Sequence, residues 1–284
     1  MSIRSRIRIG TVQFGLNYGI TNSANSIIND EDLFELLDTA KNLGFHKLDT
    51  ADEYGNINLR LNQLSFATAN NFTIQNKVKF ETGVTASNWL KNAKSKSIKL
   101  LGNVDNILIH NGSEISKTLV GQLLAAQESE DLSVGLSIYS SSEFLQYQDF
   151  ANLIIQIPFN IVNHTLMTPE IKKDLKCKIQ VRSIFLQGLL LADINSIPKK
   201  FNRYLSNFSN YHFYVKSLGM SKLEFNLAFA LQKSWIDEVV IGIQNIEQLY
   251  QLHLSVEKIE KMSYEIESQD LFPVEAELFD PRLY

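Results

Sequence analysis

The chain has 284 residues with a formal net charge of −4 and no block rich in Lys and Arg, which favours a globular protein that does not bind nucleic acid. Cys177 is its single cysteine, so no internal disulfide can form, which fits a reducing compartment. Residues 1–8 do not resemble a signal peptide, and no apolar run approaches the ~20 residues that span a bilayer, so we expect a cytoplasmic protein without a membrane partner.

Short apolar runs that suit buried strands alternate along the chain with longer amphipathic segments. The predicted strands are residues 7–10, 47–49, 72–77, 106–110, 133–138, 153–157, 179–184 and 238–241. The predicted helices are residues 30–44, 87–101, 114–129, 142–149, 197–218, 221–234 and 246–254.

The repeated order of strand and helix predicts parallel strands. Eight strands in a chain of this length favour a closed (β/α)8 barrel over an open sheet, and no linker divides residues 1–284 into two domains. We expect a loop over residues 159–169 and an insertion over residues 190–210. The Phe-rich segment 201–213 has two interpretations, a substrate lid or a helix packed on the barrel exterior.

Ionisable side chains end three consecutive predicted strands. Asp49 ends the second strand, and Tyr54 follows it closely. Lys77 ends the third strand, and His110 ends the fourth. Because active sites of βα barrels lie at the carboxyl ends of the strands, we expect these four side chains at one rim.

These four residue types together make a proton-donating site. A tyrosine alone is a poor acid at neutral pH, since its pKa is about 10. A nearby ammonium favours the phenolate, a buried carboxylate holds the ammonium, and a neutral histidine donates to a carbonyl oxygen. Taken singly, each residue has a structural explanation, such as a helix N-cap for Asp49 or a core aromatic for Tyr54. The hypothesis therefore depends on the set.

Residues 48–55 read Leu-Asp-Thr-Ala-Asp-Glu-Tyr-Gly, which resembles the Asp-Thr-Ala-x-x-Tyr-Gly signature of aldo-keto reductases. Lys77 and His110 stand where the catalytic lysine and histidine of that family stand. Further segments similar to family motifs are residues 10–19, 135–139, 156–160 and 242–249. The resemblance extends along nearly the whole chain, and the family does not use a Gly-x-Gly-x-x-Gly turn, which this sequence also lacks.

The resemblance implies that a nicotinamide cofactor lies across the barrel mouth and passes a hydride to an aldehyde or ketone. Tyr54 would then protonate the carbonyl oxygen, and His110 would orient the carbonyl. Lys77 and Asp49 would tune Tyr54.

The resemblance also assigns cofactor-binding positions, and several of them depart from the family pattern. Ser137 and Gln156 would hold the carboxamide. Arg182 stands where many members have an aromatic that stacks on the nicotinamide, and a planar guanidinium could stack there instead. Three further positions belong to the segment after the eighth strand, namely Gly242, Gln244 and Gln248.

The choice of cofactor follows from that last segment. Gln244 and Gln248 stand where Arg or Lys usually meets the 2′-phosphate of NADPH. Family habit implies NADPH, whereas the missing cations predict weak discrimination, so we expect NADH to bind as well.

The substrate is expected to be a small carbonyl compound. Residues 10–19 and 275–284 are similar to bacterial members associated with surface-sugar synthesis, which implies a sugar derivative. No pair of histidines has metal-ligand spacing, so we predict no metal. Two alternatives stay open: a cofactor-binding regulatory protein with little turnover, and a Schiff-base aldolase using Lys77. Asp49 disfavours the aldolase, because it would raise a lysine pKa that must be lowered.

Overall fold

The computed structural model describes residues 2–20, 27–64, 72–164, 175–267, 271–273, 275 and 278. Eight parallel strands follow one another in chain order around a closed barrel, and the last strand pairs with the first. The strands are β1 Ile7–Gly10, β2 Lys47–Ala51, β3 Thr73–Val78, β4 Val104–Ile109, β5 Ser133–Ser137, β6 Ile154–Pro158, β7 Lys178–Arg182 and β8 Glu238–Gly242. The predicted (β/α)8 architecture is confirmed, with small shifts at the strand ends.

Helices follow seven of the eight strands in the described part of the chain. They are α1 Asp30–Asn42, α2 Ile57–Gln63, α3 Ala86–Leu101, α4 Lys117–Gln127, α5 Ser141–Tyr147, α6 Leu205–Ser217, α7 Lys222–Leu231 and α8 Ile246–Glu260. Shorter pieces are a single α-helical turn at Val12–Gly15 and 3₁₀ turns at Arg4–Arg6, Gly112–Glu114, Leu186–Gly188, Ile194–Ser196 and Lys199–Tyr204. Side chains cap several first turns, as Ser221 does for α7. Among the described residues, no helix has the length and apolar character that crossing a membrane requires.

Helix α2 is absent from the sequence prediction. Its N-cap residue, Asn56, makes no side-chain cap, and its first turn contains no acid. Tertiary contacts hold the helix instead: the buried Arg60 side chain donates to Asp30 at 2.5 Å and to the Ile28 carbonyl at 2.7 Å. A local pattern therefore could not reveal this helix.

The predicted helix over residues 197–218 is wrong as a single element, because a 3₁₀ segment precedes α6. Helix α6 packs on the barrel exterior, which agrees with the second interpretation of segment 201–213. The Tyr211 hydroxyl donates to the Leu190 carbonyl at 3.1 Å and accepts from Asn226 of α7 at 2.7 Å. The predicted loop 159–169 lies partly outside the described residues, and residues 159–164 form neither helix nor strand.

The barrel interior is polar, whereas the layer between strands and helices is apolar. Side chains alternate along β3, so Asn76 faces outward and donates to Ser97 of α3 at 2.9 Å. Gln75 and Lys77 face inward. The buried polar side chains of the strands include Arg8, Asp49, Gln75, Lys77, Asn106, Gln156 and Gln180. Barrels of this type usually fill their interior with branched apolar residues, so the polar interior is a particular feature of this chain.

Candidate active site

The four residues predicted to be catalytic meet at the carboxyl-terminal mouth of the barrel. Asp49 lies in β2 and Lys77 in β3, while His110 directly follows β4. Tyr54 lies in the turn between β2 and α2. All four line one cavity, as expected when neighbouring parallel strands end at the same rim.

Lys77 and Asp49 form a buried ion pair in which the ammonium contacts Oδ1, and each side chain is 2% exposed. Oδ2 of Asp49 accepts from the amide nitrogens of Gln75 at 2.6 Å and Gln156 at 2.8 Å. Burial raises the pKa of the Asp49 carboxyl, but the Lys77 charge and these donors outweigh it and lower that pKa. Burial lowers the pKa of Lys77, but Asp49 and Tyr54 outweigh it and raise that pKa. Both groups are therefore charged at neutral pH.

The phenol of Tyr54 lies against this ion pair. The Lys77 ammonium lies 4.9 Å from the centre of the Tyr54 ring. The His110 ring meets the Tyr54 ring edge to face, with centroids 5.8 Å apart. The Tyr54 side chain lines the cavity beside this fixed positive charge.

Two glycines fix the backbone of Tyr54. A Cβ on Gly15, in the helical turn Val12–Gly15, would overlap the Tyr54 carbonyl oxygen. Gly55 has φ +62°, and a Cβ there would overlap the Gly15 carbonyl oxygen. The turn that carries Tyr54 therefore packs directly on the turn after β1, at a distance that only glycines allow.

His110 lies at the edge of the site with its side chain 18% exposed. Its Nδ1 lies 2.7 Å from a carboxylate oxygen of Glu53. Burial and the Lys77 charge lower the pKa of His110, and together they outweigh the opposing effect of Glu53. The imidazole is therefore neutral near pH 7 and carries a single N–H.

A cavity of about 520 Å³ opens beside these four residues. Ligand sites in proteins typically have volumes of about 300–1,000 Å³. The six predicted cofactor residues all line it: Ser137, Gln156, Arg182, Gly242, Gln244 and Gln248. The lining continues to the first turns of α7 and α8. One cavity thus joins the Tyr54 phenol to two helix starts.

Arg182 ends β7 and stacks on Tyr139, to which the sequence analysis assigns no role. Its guanidinium carbon lies 4.5 Å from the centre of the Tyr139 ring, and Nη2 donates to the Ile138 carbonyl at 3.0 Å. The guanidinium plane is therefore fixed in the cavity wall. Its contact with a nicotinamide stays a prediction.

The predicted carboxamide ligands lie on β5 and β6. Ser137 is 2% exposed and ends β5. The Gln156 nitrogen donates to Asp49 at 2.8 Å and to Gln180 at 3.3 Å, while its oxygen accepts from Lys77 at 3.4 Å. A carboxamide contact of Gln156 would therefore compete with its contacts to the ion pair.

Backbone N–H groups between β8 and the first turn of α8 donate to side chains of the same segment. The Gln244 N–H donates to the Gln248 side chain at 2.8 Å, and the Gln248 N–H donates to the Asn245 side chain at 2.9 Å. These N–H groups are already bonded, which weakens this helix start as a phosphate site. At Gly242 a Cβ would lie 2.5 Å from the side-chain oxygen of Gln13, so the cavity wall is tight there.

Lys222 brings to the cavity a cation that the sequence analysis misses. It begins α7, and its ammonium donates to the Ala192 carbonyl at 2.7 Å and pairs with Asp193 at 2.9 Å. The Ser-x-x-Glu pattern of residues 221–224 could have located the helix start. Only the closed barrel reveals that this start borders the same cavity as the segment after β8.

Gln75 is a second residue that the sequence analysis misses. It precedes Lys77 by two positions, so both side chains enter the barrel from the same face of β3. That spacing could have placed Gln75 inside the barrel. Its contact with Asp49 follows from the pairing of β2 with β3, in which the two residues are partners.

A closed parallel barrel whose carboxyl-terminal mouth holds a buried Asp–Lys pair, a tyrosine and a histidine has the architecture of a (β/α)8-barrel enzyme. The family model described as the aldo/keto reductase family matches residues 6–270. The chain therefore belongs to the aldo/keto reductase family, and it is an NAD(P)H-dependent oxidoreductase of that family. The predicted family, fold class and enzyme class are confirmed.

Solved structures share the fold. An aldo-keto reductase from Bacillus halodurans, in its holo form, has a TM-score of 0.67 at 17% identity over 98% of this chain and 95% of its own. A Pseudomonas aeruginosa protein assigned as an aldo-keto reductase has a TM-score of 0.63 at 17% identity, over 90% and 91%. No curated protein matched this sequence. Within the described ranges, no group of three or more His, Cys, Asp or Glu is placed to hold a metal ion.

Proposed function

We propose that this protein reduces the carbonyl group of an aldehyde or ketone, with Tyr54 as the general acid. The observation that carries the proposal is the position of the Tyr54 phenol, between Lys77 and His110 on the wall of the cavity. NAD(P)H supplies the hydride when it is bound. Tyr54 gives its proton to the carbonyl oxygen, so the product is an alcohol.

Each neighbour of Tyr54 has its own part in this proposal. The Lys77 ammonium stabilises the negative charge that develops on the phenol oxygen as the proton leaves. Asp49 keeps Lys77 protonated and holds it in place. His110 is neutral and gives its N–H to the carbonyl oxygen, in competition with the Glu53 carboxylate beside Nδ1.

The charge of Lys77 argues against the aldolase alternative. A lysine that forms a Schiff base must present a free amine, which requires a lowered pKa. Here Asp49 and Tyr54 outweigh burial and raise the pKa of Lys77. The ammonium therefore serves as a fixed charge and not as a nucleophile. The regulatory alternative rests on the departures from the family pattern at the cofactor positions, and the assembly of all four residues of the proton-donating site argues against it.

The cavity lining fits a nicotinamide dinucleotide. We place the nicotinamide end beside Ser137, Gln156 and Arg182, and the phosphate end beside Gly242, Gln244, Gln248 and Lys222. A phosphate is best met by Lys or Arg, and Lys222 supplies the cation that the segment after β8 lacks. We therefore propose NADPH as the cofactor, with NADH also accepted.

We further propose that residues 1–284 form one domain. The pairing of β8 with β1 supports this, because it joins the described parts of the chain into one closed sheet. The substrate class proposed is a small carbonyl compound, with sugar derivatives included because of the similarity to members associated with surface-sugar synthesis.

Tyr54→Phe tests the proposed acid. The substitution removes the hydroxyl and keeps the ring, so turnover should fall by about 10²–10⁴-fold, the usual contribution of general acid catalysis. Turnover would be measured with NADPH and a panel of aldehydes, ketones and sugar derivatives. Cofactor affinity, measured by calorimetry, should not change.

Tyr18→Phe is the matched control. Tyr18 is another half-buried tyrosine that lines the cavity, and burial raises its pKa, which makes it a poorer acid. The control should keep turnover within about threefold of the native protein, less than the loss of one neutral hydrogen bond would cause. A larger loss of turnover in Tyr18→Phe than in Tyr54→Phe would show that Tyr54 is not the acid.

A further inference from the structure

A layer of three glutamines lies inside the barrel beneath the Asp49–Lys77 pair. Gln75 and Gln156 are fully buried, and Gln180 is 2% exposed. They come from β3, β6 and β7, so no local segment of the chain contains the layer. Buried amides are costly unless they are hydrogen-bonded, so the partners of these side chains decide what the layer does.

The three amides form a directed chain of hydrogen bonds. The Gln180 nitrogen donates to Glu238 at 2.8 Å and to the Gln75 oxygen at 2.7 Å. The Gln75 nitrogen donates to Oδ2 of Asp49 at 2.6 Å. The Gln156 nitrogen donates to the same Oδ2 at 2.8 Å and to the Gln180 oxygen at 3.3 Å. The donors therefore converge on one carboxylate oxygen.

The direction of this chain is set at the opposite end of the barrel. A carboxylate only accepts hydrogen bonds, so Gln180 must turn its nitrogen toward Glu238. The same nitrogen meets the Gln75 oxygen, so Gln75 must turn its own nitrogen toward Asp49. Glu238 is fixed in turn by Arg8, whose Nε lies 2.6 Å away. The amide orientations thus follow from the charges at the two ends.

We propose that Gln75 and Gln180 are positioning residues for the reaction, and that Glu238 fixes the direction of their amides so that Asp49 always meets N–H donors. The catalytic importance of this arrangement rests on the proposed function. Without Gln75, Oδ2 of Asp49 keeps a single amide donor, so the ionised carboxylate is less stable. The Lys77 ammonium beside Tyr54 is then stabilised less by the Asp49 carboxylate.

The titratable groups around Asp49 are few. Lys77 contacts it directly from β3, and Tyr54 and His110 face the same ion pair from the turn after β2 and from the end of β4. Hydrogen bonds from Gln156 and Gln75 both favour the ionised form of Asp49. A neutral substitution at Gln75 leaves every one of these charges in place, so its effect reports the amide alone.

Gln75→Glu is the sharpest test. When protonated, the introduced carboxyl donates to Asp49 and accepts from Gln180, as the amide does. When ionised, it has no donor and repels Asp49. A carboxyl against a second carboxylate has a raised pKa, above its ordinary value of about 4.3. The ratio of variant to native turnover should therefore fall at least about tenfold as pH rises from about 5 to about 8.

Two companion variants fix the interpretation of that ratio. Gln75→Leu cannot donate at any pH, so its ratio should be low, about tenfold below native, and independent of pH. Gln63→Glu adds the same charge at an exposed position at the end of α2 and should give a ratio near one throughout. A Gln75→Glu ratio that does not change with pH would overturn the proposal.

A measurement without turnover separates this proposal from the proposed function. The carboxyl ¹³C resonance of Asp49, assigned by its loss in Asp49→Asn, should titrate at higher pH in Gln75→Leu than in the native protein. An unchanged midpoint would overturn the positioning role even in an active enzyme. A shifted midpoint in a protein that reduces no carbonyl would support the positioning role and refute the proposed function. If Gln75→Leu does not fold, Gln180→Leu replaces it, since it frees the Gln75 amide to turn and should shift the same midpoint upward.

Discussion

Both ends of the barrel hold a buried ion cluster, and the two clusters differ in how completely the cation is paired. At the amino-terminal end, Arg8 contacts two carboxylates, Asp105 at 2.5 Å and Glu238 at 2.6 Å. At the mouth, Lys77 contacts one carboxylate, that of Asp49, and a phenol. The Arg8 charge is therefore neutralised among fixed partners, while part of the Lys77 charge faces the phenol of Tyr54, the proposed acid. Under the proposed function, similar ion pairs serve stability at one end of the barrel and chemistry at the other.

Lys77→Met should have the largest effect. It removes the cation beside the Tyr54 phenol, so turnover per folded molecule should fall by about 10²–10⁴-fold. Stability should also fall, because the buried Asp49 carboxylate loses its partner. Steady-state kinetics would be combined with denaturant unfolding, so that the rate refers to folded protein.

Asp49→Asn provides the comparison for that variant. The cation stays beside Tyr54 and loses only its counter-ion, so the loss of turnover should be milder, about tenfold. Equal losses in Lys77→Met and Asp49→Asn would mean that the pair acts as a unit and that the Lys77 charge alone does not define the site.

Arg8→Met should act on stability and leave turnover nearly unchanged. Removing the cation leaves Asp105 and Glu238 without their shared partner, which should cost about 3–5 kcal/mol of unfolding free energy. Lys47 still contacts Glu238 at 2.5 Å, so the glutamine layer keeps its direction. Turnover per folded molecule should stay within about threefold, a smaller change than loss of a typical hydrogen bond gives. A loss as large as that of Lys77→Met would break the distinction between the two ends.

Arg8→Met should also change how the unfolding free energy depends on pH. Burial raises the pKa of Glu238, but Arg8 and Lys47 outweigh it and lower that pKa below its unfolded value. The resulting stability is present above the unfolded pKa and is lost as pH falls through the folded pKa. Arg8→Met removes part of the lowering, so the variant should lose less unfolding free energy than the native protein between about pH 6 and pH 3.

Lys222→Ala should have the smallest effect and should appear in cofactor binding. The sequence alone predicts NADPH and NADH constants within about tenfold of each other. Loss of the Lys222 cation should weaken binding by about tenfold. A loss confined to NADPH would identify the 2′-phosphate as the partner, and an equal loss for both cofactors would identify the pyrophosphate.

Asp193→Ala is the reciprocal variant for the Lys222 measurement. It removes the carboxylate that now pairs with Lys222, so cofactor affinity should rise. Calorimetric titration of both variants with both cofactors would measure these effects. Unchanged affinity in Lys222→Ala would show that Lys222 does not meet the cofactor.

The difference between local and distant contacts explains which features the sequence could predict. The strand β6 was predictable because it is mostly apolar and buried throughout. Other strands alternate polar residues that face the barrel interior with apolar residues that face the helices, which still leaves short runs rich in Ile, Leu and Val. Asp49, Lys77 and His110 were predictable because each lies in or just after the carboxyl-terminal half of a strand. The position of Gln75 could have followed from its spacing to Lys77, whereas its contact with Gln180 required the closure that brings β7 across the barrel from β3. The position of Lys222 at the cavity could not be predicted, because it depends on the packing of residues 192–193 against α7, which no local pattern contains.

The contact between Gly15 and Gly55 has a consequence for the evolution of this protein. Neither residue has a side chain, yet both define where the Tyr54 phenol stands relative to the cavity. Under the proposed function, selection for proton transfer therefore acts on two positions that contribute no reactive atom. Substitutions there would be tolerated about as poorly as changes to the acid itself, so intolerance to mutation in this turn reflects geometry as much as chemistry.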